Sequence, residues 1–168
     1  MKIAFLFVVL LCAGGPVLAN ALSGVVVAVP SGDTLVVKID DGEGKSHQEE
    51  VRLVAIAAPV AGQAFSGQSR DALASTLKDK AVSVEWTKRD AHHRVIGRTT
   101  ESGHDVGLNQ IKAGLAWYAR SEASELGLED QGFYLSGEVT ARRSKSGVWS
   151  EASPIPPWVY AKTHKATQ

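Results

Sequence analysis

Residues 23–39 read SGVVVAVPSGDTLVVKI, in which two runs rich in β-branched residues flank the turn sequence PSGD at 30–33. Apolar β-branched runs on either side of a short turn containing proline and glycine are typical of a β-hairpin. We therefore predict that strands over 23–29 and 34–39 form a hairpin, and that this hairpin begins the fold.

The strand pattern continues beyond this hairpin, after a polar turn predicted at 40–46. Polar and apolar residues alternate over three further segments, 49–56, 81–87 and 94–100. Helical spacing of apolar residues predicts three helices: 66–80, a short helix capped by Asp105 and ended near Gly114, and one over about 128–145. The prolines in 154–158 predict that this tail lies extended against the domain.

Five strands, with one helix after the third strand and the others after the fifth, match the order of a partly open Greek-key barrel of the OB type. The predicted class is α+β, mainly β: a five-stranded OB-fold-type barrel with about three helices packed on it. No repeat or second domain is visible, so we expect residues 20–168 to form one domain and the protein to be a monomer.

The N-terminus has the composition of a signal peptide. Lys2 precedes an apolar run over 3–12, and glycine and proline breakers lead to Ala19. We predict removal of residues 1–19, export to the periplasm or beyond the cell, and no membrane attachment afterwards. Because Cys12 lies in the removed segment, the mature chain would contain no cysteine and no disulfide.

Charge excludes a protein that wraps nucleic acid with a strongly basic surface. The chain has 18 basic and 18 acidic residues, and removal of Lys2 leaves 17 against 18, a net charge of −1. Any contact with a polyanion must therefore be local and sensitive to salt.

Three charged residues are candidates for such a contact. Asp33 lies in the first hairpin turn, Arg52 on the third predicted strand, and Arg94 at the start of the fifth. Taken singly, each suits a solvated turn, strand or loop. The predicted topology brings them near each other, and two guanidinium groups fit a phosphate group well.

Six motifs, in order, resemble the staphylococcal nuclease (thermonuclease) family, over residues 23–160. They are SGDT at 31–34, VRL with IAAP at 51–59, an aspartate followed by RVIGR at 90–98, GLAW at 114–117, SGVW at 146–149 and PPW at 156–158. The resemblance implies that Asp33 is a calcium ligand and that Arg52 and Arg94 are catalytic residues that clamp the phosphate of DNA or RNA.

Two positions depart from the family pattern in ways that affect the chemistry. Ala57 and Val60 stand where the family has its second calcium carboxylate and its general base. Calcium requires six to eight oxygen ligands, and loss of a general base costs about 10²–10⁴ in rate. We therefore expect a weakened calcium site and weak or absent hydrolysis. Arg120 and Glu122 replace tyrosines that stack on a base in some members, which leaves Trp117 and Tyr118 as either core or stacking residues.

Substitutes for the missing groups are available in the sequence. Glu50 shares a strand face with Arg52, and Asp90, His92 and His93 precede Arg94, while Asp40 and Asp41 lie in another loop. Carboxylates could bind a displaced metal, and a histidine could act as a base. The alternative is that the two histidines are simply solvated.

Three functions remain open at this point. The first is a protein that binds nucleic acid or another anionic polymer with little or no hydrolysis. The second is an active metal-dependent endonuclease with a rebuilt site. The third is a non-enzymatic factor of the cell envelope or of polysaccharide metabolism.

Overall fold

The structure, a computed structural model, describes residues 20–164 and contains one six-stranded sheet, one two-stranded sheet and four α-helices in that range. The strands are β1 Asn20–Ser31, β2 Thr34–Gly42, β3 Lys45–Leu53, β4 Ile56–Ala57, β5 Ala81–Arg89, β6 Val95–Glu101, β7 His104–Asp105 and β8 Trp117–Tyr118. The helices are α1 Ser66–Leu77, α2 Val106–Lys112, α3 Leu128–Arg143 and α4 Pro157–His164, with 3₁₀ helices at Arg120–Glu125 and Gly147–Ser150.

The large sheet closes into a barrel. Its strand order is β3-β2-β1-β5-β6-β7, and a further pairing joins β3 to β6 in parallel. Inward-facing side chains from each strand fill the barrel with branched apolar residues, among them Val26, Leu35, Val51 and Val84, none of which is exposed. The prediction of an α+β, mainly β protein with an OB-type barrel is confirmed.

The helices cover the barrel much as predicted. Asp105 caps α2 by accepting a hydrogen bond from the Leu108 N–H at 2.8 Å. Gly137 allows α3 to lie close to α2, because a Cβ atom at this position would be only 3.3 Å from Leu108. The core alternative for Trp117 and Tyr118 is correct, since their exposed fractions are 2% and 5%.

The predicted turn at 40–46 is wrong, because both strands of this hairpin are longer. Pairing continues to Gly42 opposite Lys45, and the turn is confined to the residues between them. Gly42 and Gly44 both have positive φ angles, which allow a tight reversal after an otherwise polar strand end. At its other end β3 stops at Leu53, and a turn separates it from the short strand β4.

The extended tail predicted over 154–158 is also wrong in its second half. Helix α4 begins at Pro157 and includes Trp158. Proline is favoured at the first helical position, because its fixed φ suits the helix and its missing N–H would have no partner there. The same ring that prevents a helix from continuing can therefore begin one.

The predicted signal peptide at 1–19 lies outside the residues that the structure describes, so its removal stays a prediction. Across residues 20–164, we find no helix with both the length and the apolar character needed to cross a membrane.

Candidate functional site

Closure of the barrel brings Asp33, Arg52 and Arg94 to one place. In the β2–β3 pairing Thr34 is opposite Arg52, and the Leu53 N–H donates to the Asp33 carbonyl oxygen at 2.8 Å. In the parallel β3–β6 pairing Val51 is opposite Val95, so Arg94 enters β6 beside Glu50. The juxtaposition that the sequence predicted therefore follows from strand register.

Arg52 is already paired with a carboxylate. Its Nη1 atom lies 2.9 and 2.8 Å from the two carboxylate oxygens of Glu122, and its Nη2 donates to the Ile56 carbonyl oxygen at 3.2 Å. Burial alone would lower the pKa of Arg52, but the hydrogen bond and the charge of Glu122 outweigh burial and raise it. The guanidinium is thus held charged in a largely buried position.

Glu122 is the site residue that sequence reasoning missed. It lies in the 3₁₀ helix 120–125, and one of its oxygens also accepts the Ala55 N–H at 3.3 Å. The sequence signal was the acidic residue itself, which stands where some members of the family that the chain resembles have a tyrosine. Glu122 and Arg52 are 70 residues apart in the chain, and the sequence alone does not show that they pair.

Arg94 is paired with Asp90, four residues before it. The Arg94 Nε and Nη2 atoms lie 2.8 and 2.7 Å from Asp90 Oδ2. Asp90 Oδ1 accepts backbone N–H bonds from His92 and Arg94. Burial would raise the pKa of Asp90, but these bonds and the Arg94 charge lower it. Asp90 therefore orients Arg94 and shapes the loop.

The Asp33 carboxylate is engaged by the protein itself. Its Oδ1 accepts hydroxyl hydrogen bonds from Ser31 at 2.7 Å and Thr34 at 3.2 Å, and its Oδ2 accepts the Ala58 N–H at 3.0 Å. These bonds tie the first hairpin turn to the segment that follows β4. Asp33 thus supports the backbone beside the two alanines, 57 and 58.

The residues around Asp33 do not fit a calcium ion. Ala57 has no oxygen in its side chain, and Val60 presents an apolar side chain that is 36% exposed. Between residues 20 and 164, no group of three or more acidic, histidine or cysteine side chains is arranged to hold a metal. One carboxylate with both oxygens already bonded falls well short of the six to eight oxygens that calcium needs.

The other predicted substitutes lie either near the site or far from it. Glu50 is near the site, with its Oε1 3.9 Å from Arg94 Nη1 and its side chain 49% exposed. His92 and His93 are both solvent-exposed in the loop before Arg94. Asp40 and Asp41 lie at the opposite end of β2, roughly 20 Å from its first residue. Of these residues, only Glu50, His92 and His93 therefore remain candidates to replace the missing acids.

The site contains more carboxylates than guanidinium groups. Two arginines lie close to four acidic side chains: Asp33, Glu50, Asp90 and Glu122. Glu122 occupies Nη1 of Arg52, whereas Asp90 contacts Nε and Nη2 of Arg94 and leaves its Nη1 free. Arg52 thus already has a carboxylate of the protein as its partner.

Comparison with known proteins identifies the family. The family model described as "Staphylococcal nuclease homologue" matches residues 38–151. An "Uncharacterized endonuclease" of Escherichia coli is 33% identical over 146 residues, which cover 86% of this chain and 88% of the relative. The "Micrococcal nuclease" of Shigella flexneri is 28% identical over 151 residues, covering 84% and 82%.

The fold and these matches together define the class of protein. It is an OB-type barrel that carries paired arginines at the junction of its second, third and sixth strands. The chain belongs to the staphylococcal nuclease homologue family.

The pairing of Arg52 with Glu122 predicts that removal of the Glu122 charge strengthens anion binding. The substitution Glu122→Gln should raise the affinity for a short fluorescein-labelled oligothymidylate by on the order of 10-fold, because a charged hydrogen bond contributes about 1.5–3 kcal/mol. Fluorescence anisotropy at low ionic strength with EDTA present measures this affinity.

The matched control is Glu125→Gln, in the same 3₁₀ helix. Glu125 pairs with Lys88 at 2.6 Å, so this variant changes the net charge equally without touching Arg52. Equal affinities for the two variants would show that Glu122 does not compete with the ligand.

Proposed function

We propose that this protein binds a phosphodiester of single-stranded DNA or RNA, or of another anionic polymer, between Arg52 and Arg94. We further propose that it hydrolyses the bond weakly or not at all. The observation that supports the proposal is the closeness of two ordered guanidinium groups beside positions 57 and 60, which carry no acid.

The arginine geometry supports binding. A guanidinium offers five N–H donors in a plane and can form two parallel bonds to a phosphate. Asp90 holds Arg94 in one orientation and the Ile56 carbonyl oxygen accepts a bond from Arg52 Nη2, so little side-chain freedom is lost when a ligand arrives. A phosphodiester that binds Arg52 must displace Glu122 from it. This cost makes binding weaker and more selective for ligands that contact both arginines at once.

The absence of an acid at positions 57 and 60 supports weak hydrolysis. Attack on a phosphodiester needs an activated water, and neither Ala57 nor Val60 can accept a proton. Arginine pairs stabilise the charge that develops on the phosphate oxygens, but they do not activate the nucleophile. The remaining residues therefore suit binding and orientation better than cleavage.

Binding is tested with the variant Arg94→Gln. It should weaken binding of an oligothymidylate by about 10-fold or more and reduce the slope of log K against log salt by about 0.7, the contribution of one phosphate contact on a single strand. Arg94→Lys, which keeps the charge but not the planar fork, should give an intermediate affinity.

The control for charge is Lys45→Gln, at the far tip of the β2–β3 hairpin, where Lys45 is 78% exposed. If Lys45→Gln weakens binding as much as Arg94→Gln does, the contact is a general charge effect and the proposed site is wrong.

A second candidate function is an active endonuclease, and one observation favours it. The exposed carboxylate of Glu50 lies beside Arg94, where it could accept a proton from water, and relatives of this chain carry the name endonuclease. The two candidates are separated by hydrolysis assays with Ca²⁺, Mg²⁺, Mn²⁺ and Zn²⁺ on supercoiled, linear and single-stranded substrates. Cleavage that Glu50→Gln abolishes would favour the second candidate.

Restoration of the missing acids tests why hydrolysis is weak. The double variant Ala57→Asp with Val60→Glu should cleave single-stranded DNA in the presence of calcium about 10²–10⁴ times faster than the unaltered protein. Asp33→Ala in the same background should remove the gain. An unaltered protein that already cleaves at the rate of the double variant would contradict the account.

We also propose that the chain acts outside the cytoplasm, since residues 1–19 have the composition of a signal peptide. The mass of the protein recovered from the periplasm or the medium should correspond to a chain that begins at Asn20. Recovery of the full-length chain from the cytoplasm alone would contradict this.

A further inference from the structure

A groove of about 390 Å³ is connected to the arginine site through the 3₁₀ helix 120–125, and its lining includes neither Arg52 nor Arg94. We call it the side groove. It is formed by the end of β8 and the residues after it, by α3 and by the C-terminal segment. The residues that define its chemistry are Tyr118, Arg120, Glu138, Arg142, Pro156 and Trp158.

Two guanidinium groups in the side groove are anchored on one buried carboxylate. Glu138 is 1% exposed, and its Oε2 lies 3.0 Å from Arg120 Nη2 and 3.4 Å from Arg142 Nη2. Its Oε1 accepts the Tyr118 N–H at 3.2 Å. The charges of these three side chains sum to +1, so the side groove is positive where the arginine site is negative.

Both arginines retain donors that face solvent. Their side chains are 59% and 49% exposed, and in each the Nη2 atom is the one that pairs with Glu138. Within residues 20–164, their other guanidinium N–H groups have no hydrogen-bond acceptor. The Arg142 guanidinium also lies 4.0 Å above the Trp149 ring, which fixes its plane. The side groove thus presents ordered, unused donors of the kind that bind phosphate.

An exposed aromatic ring completes the side groove. Trp158 is 45% exposed at the start of α4. The C-terminal segment that carries it is fixed to the loop after β4 by two hydrogen bonds, from Gln63 Nε2 to the Ile155 carbonyl at 2.6 Å and from the Tyr160 hydroxyl to the Gly62 carbonyl at 2.9 Å. An exposed indole on a fixed segment that lines the same groove as two guanidinium groups suits a nucleobase and its phosphate.

The side groove and the arginine site share the 3₁₀ helix 120–125. Arg120 points into the side groove, and Glu122 pairs with Arg52 at the arginine site. The two residues are two positions apart, so their Cα atoms are at most about 7 Å apart. A single strand that leaves the arginine site can therefore reach the side groove within a short distance.

We propose that the side groove binds a second nucleotide of the same single strand whose phosphodiester lies between Arg52 and Arg94. Arg120 and Arg142 bind its phosphate, and its base stacks on Trp158. This inference rests on the proposed function and extends it: the ligand is an extended single strand that spans both sites, and affinity increases with strand length until both are filled.

The test compares a dinucleotide with a hexanucleotide of thymidine by fluorescence anisotropy in EDTA. Trp158→Ala should weaken binding of the hexanucleotide by at least about 5-fold, the lower limit for loss of one stacked base, and Arg120→Gln by about 10-fold, for loss of a charged hydrogen bond. Both should leave binding of the dinucleotide unaffected. Arg120→Gln should also reduce the salt slope for the hexanucleotide by about 0.7.

Two matched controls accompany these variants. Arg143→Gln removes one charge from an exposed position on α3 that does not line the side groove, and Phe133→Ala removes an aromatic side chain that is 51% exposed elsewhere on α3. Thermal unfolding of all variants checks that they fold. Should Trp158→Ala fail to fold, Trp158→Leu replaces it and Arg120→Gln, at an exposed position, still decides the result.

The outcomes separate this inference from the proposed function. Equal affinities for the side-groove variants and their controls would overturn the inference alone, provided that Arg94→Gln weakens binding of both lengths. A loss of equal size for both lengths would also overturn it, because the side groove would then not hold a separate nucleotide. Failure of the unaltered protein to bind either length would overturn both proposals.

Discussion

The parallel pairing of β3 with β6 is the constraint on which the site depends. It closes the barrel with three matched residue pairs, from Val51 with Val95 to Leu53 with Gly97. Because Arg52 lies inside this pairing and Arg94 directly before it, the same backbone bonds that close the barrel also fix the relative positions of the two backbone sites from which the arginine side chains extend. A slip of one residue would turn Arg52 to the opposite face of its strand.

Burial then decides how the charges are arranged. A largely buried guanidinium without a partner is costly, and an ion pair with good hydrogen bonds offsets that cost. In this chain Glu122 supplies the partner for Arg52 from the 3₁₀ helix, and Asp90 supplies it for Arg94 from the adjacent loop. These acids therefore pair with the arginines, and neither takes the place of the acids missing at positions 57 and 60.

The sequence could predict the barrel and the closeness of Asp33, Arg52 and Arg94, because strand periodicity and family-like motifs are local signals. It could not predict the Arg52–Glu122 pair, because the two residues are 70 positions apart and Glu122 lies in a segment without a regular pattern. The helix at Pro157 was missed because proline ends helices as well as beginning them. The prediction that Asp40 and Asp41 could replace the missing acids was wrong, because β2 continues through them to the glycine turn at 42–44. The length of this strand separates them from the site.

The central claim is that one phosphodiester contacts Arg52 and Arg94 together. Nuclear magnetic resonance of the arginine Nε–H groups during titration with an oligothymidylate in EDTA tests it directly. The account predicts that the Arg52 and Arg94 signals shift in parallel, with one midpoint that matches the binding curve. Saturation of binding while both signals stay in place would contradict it.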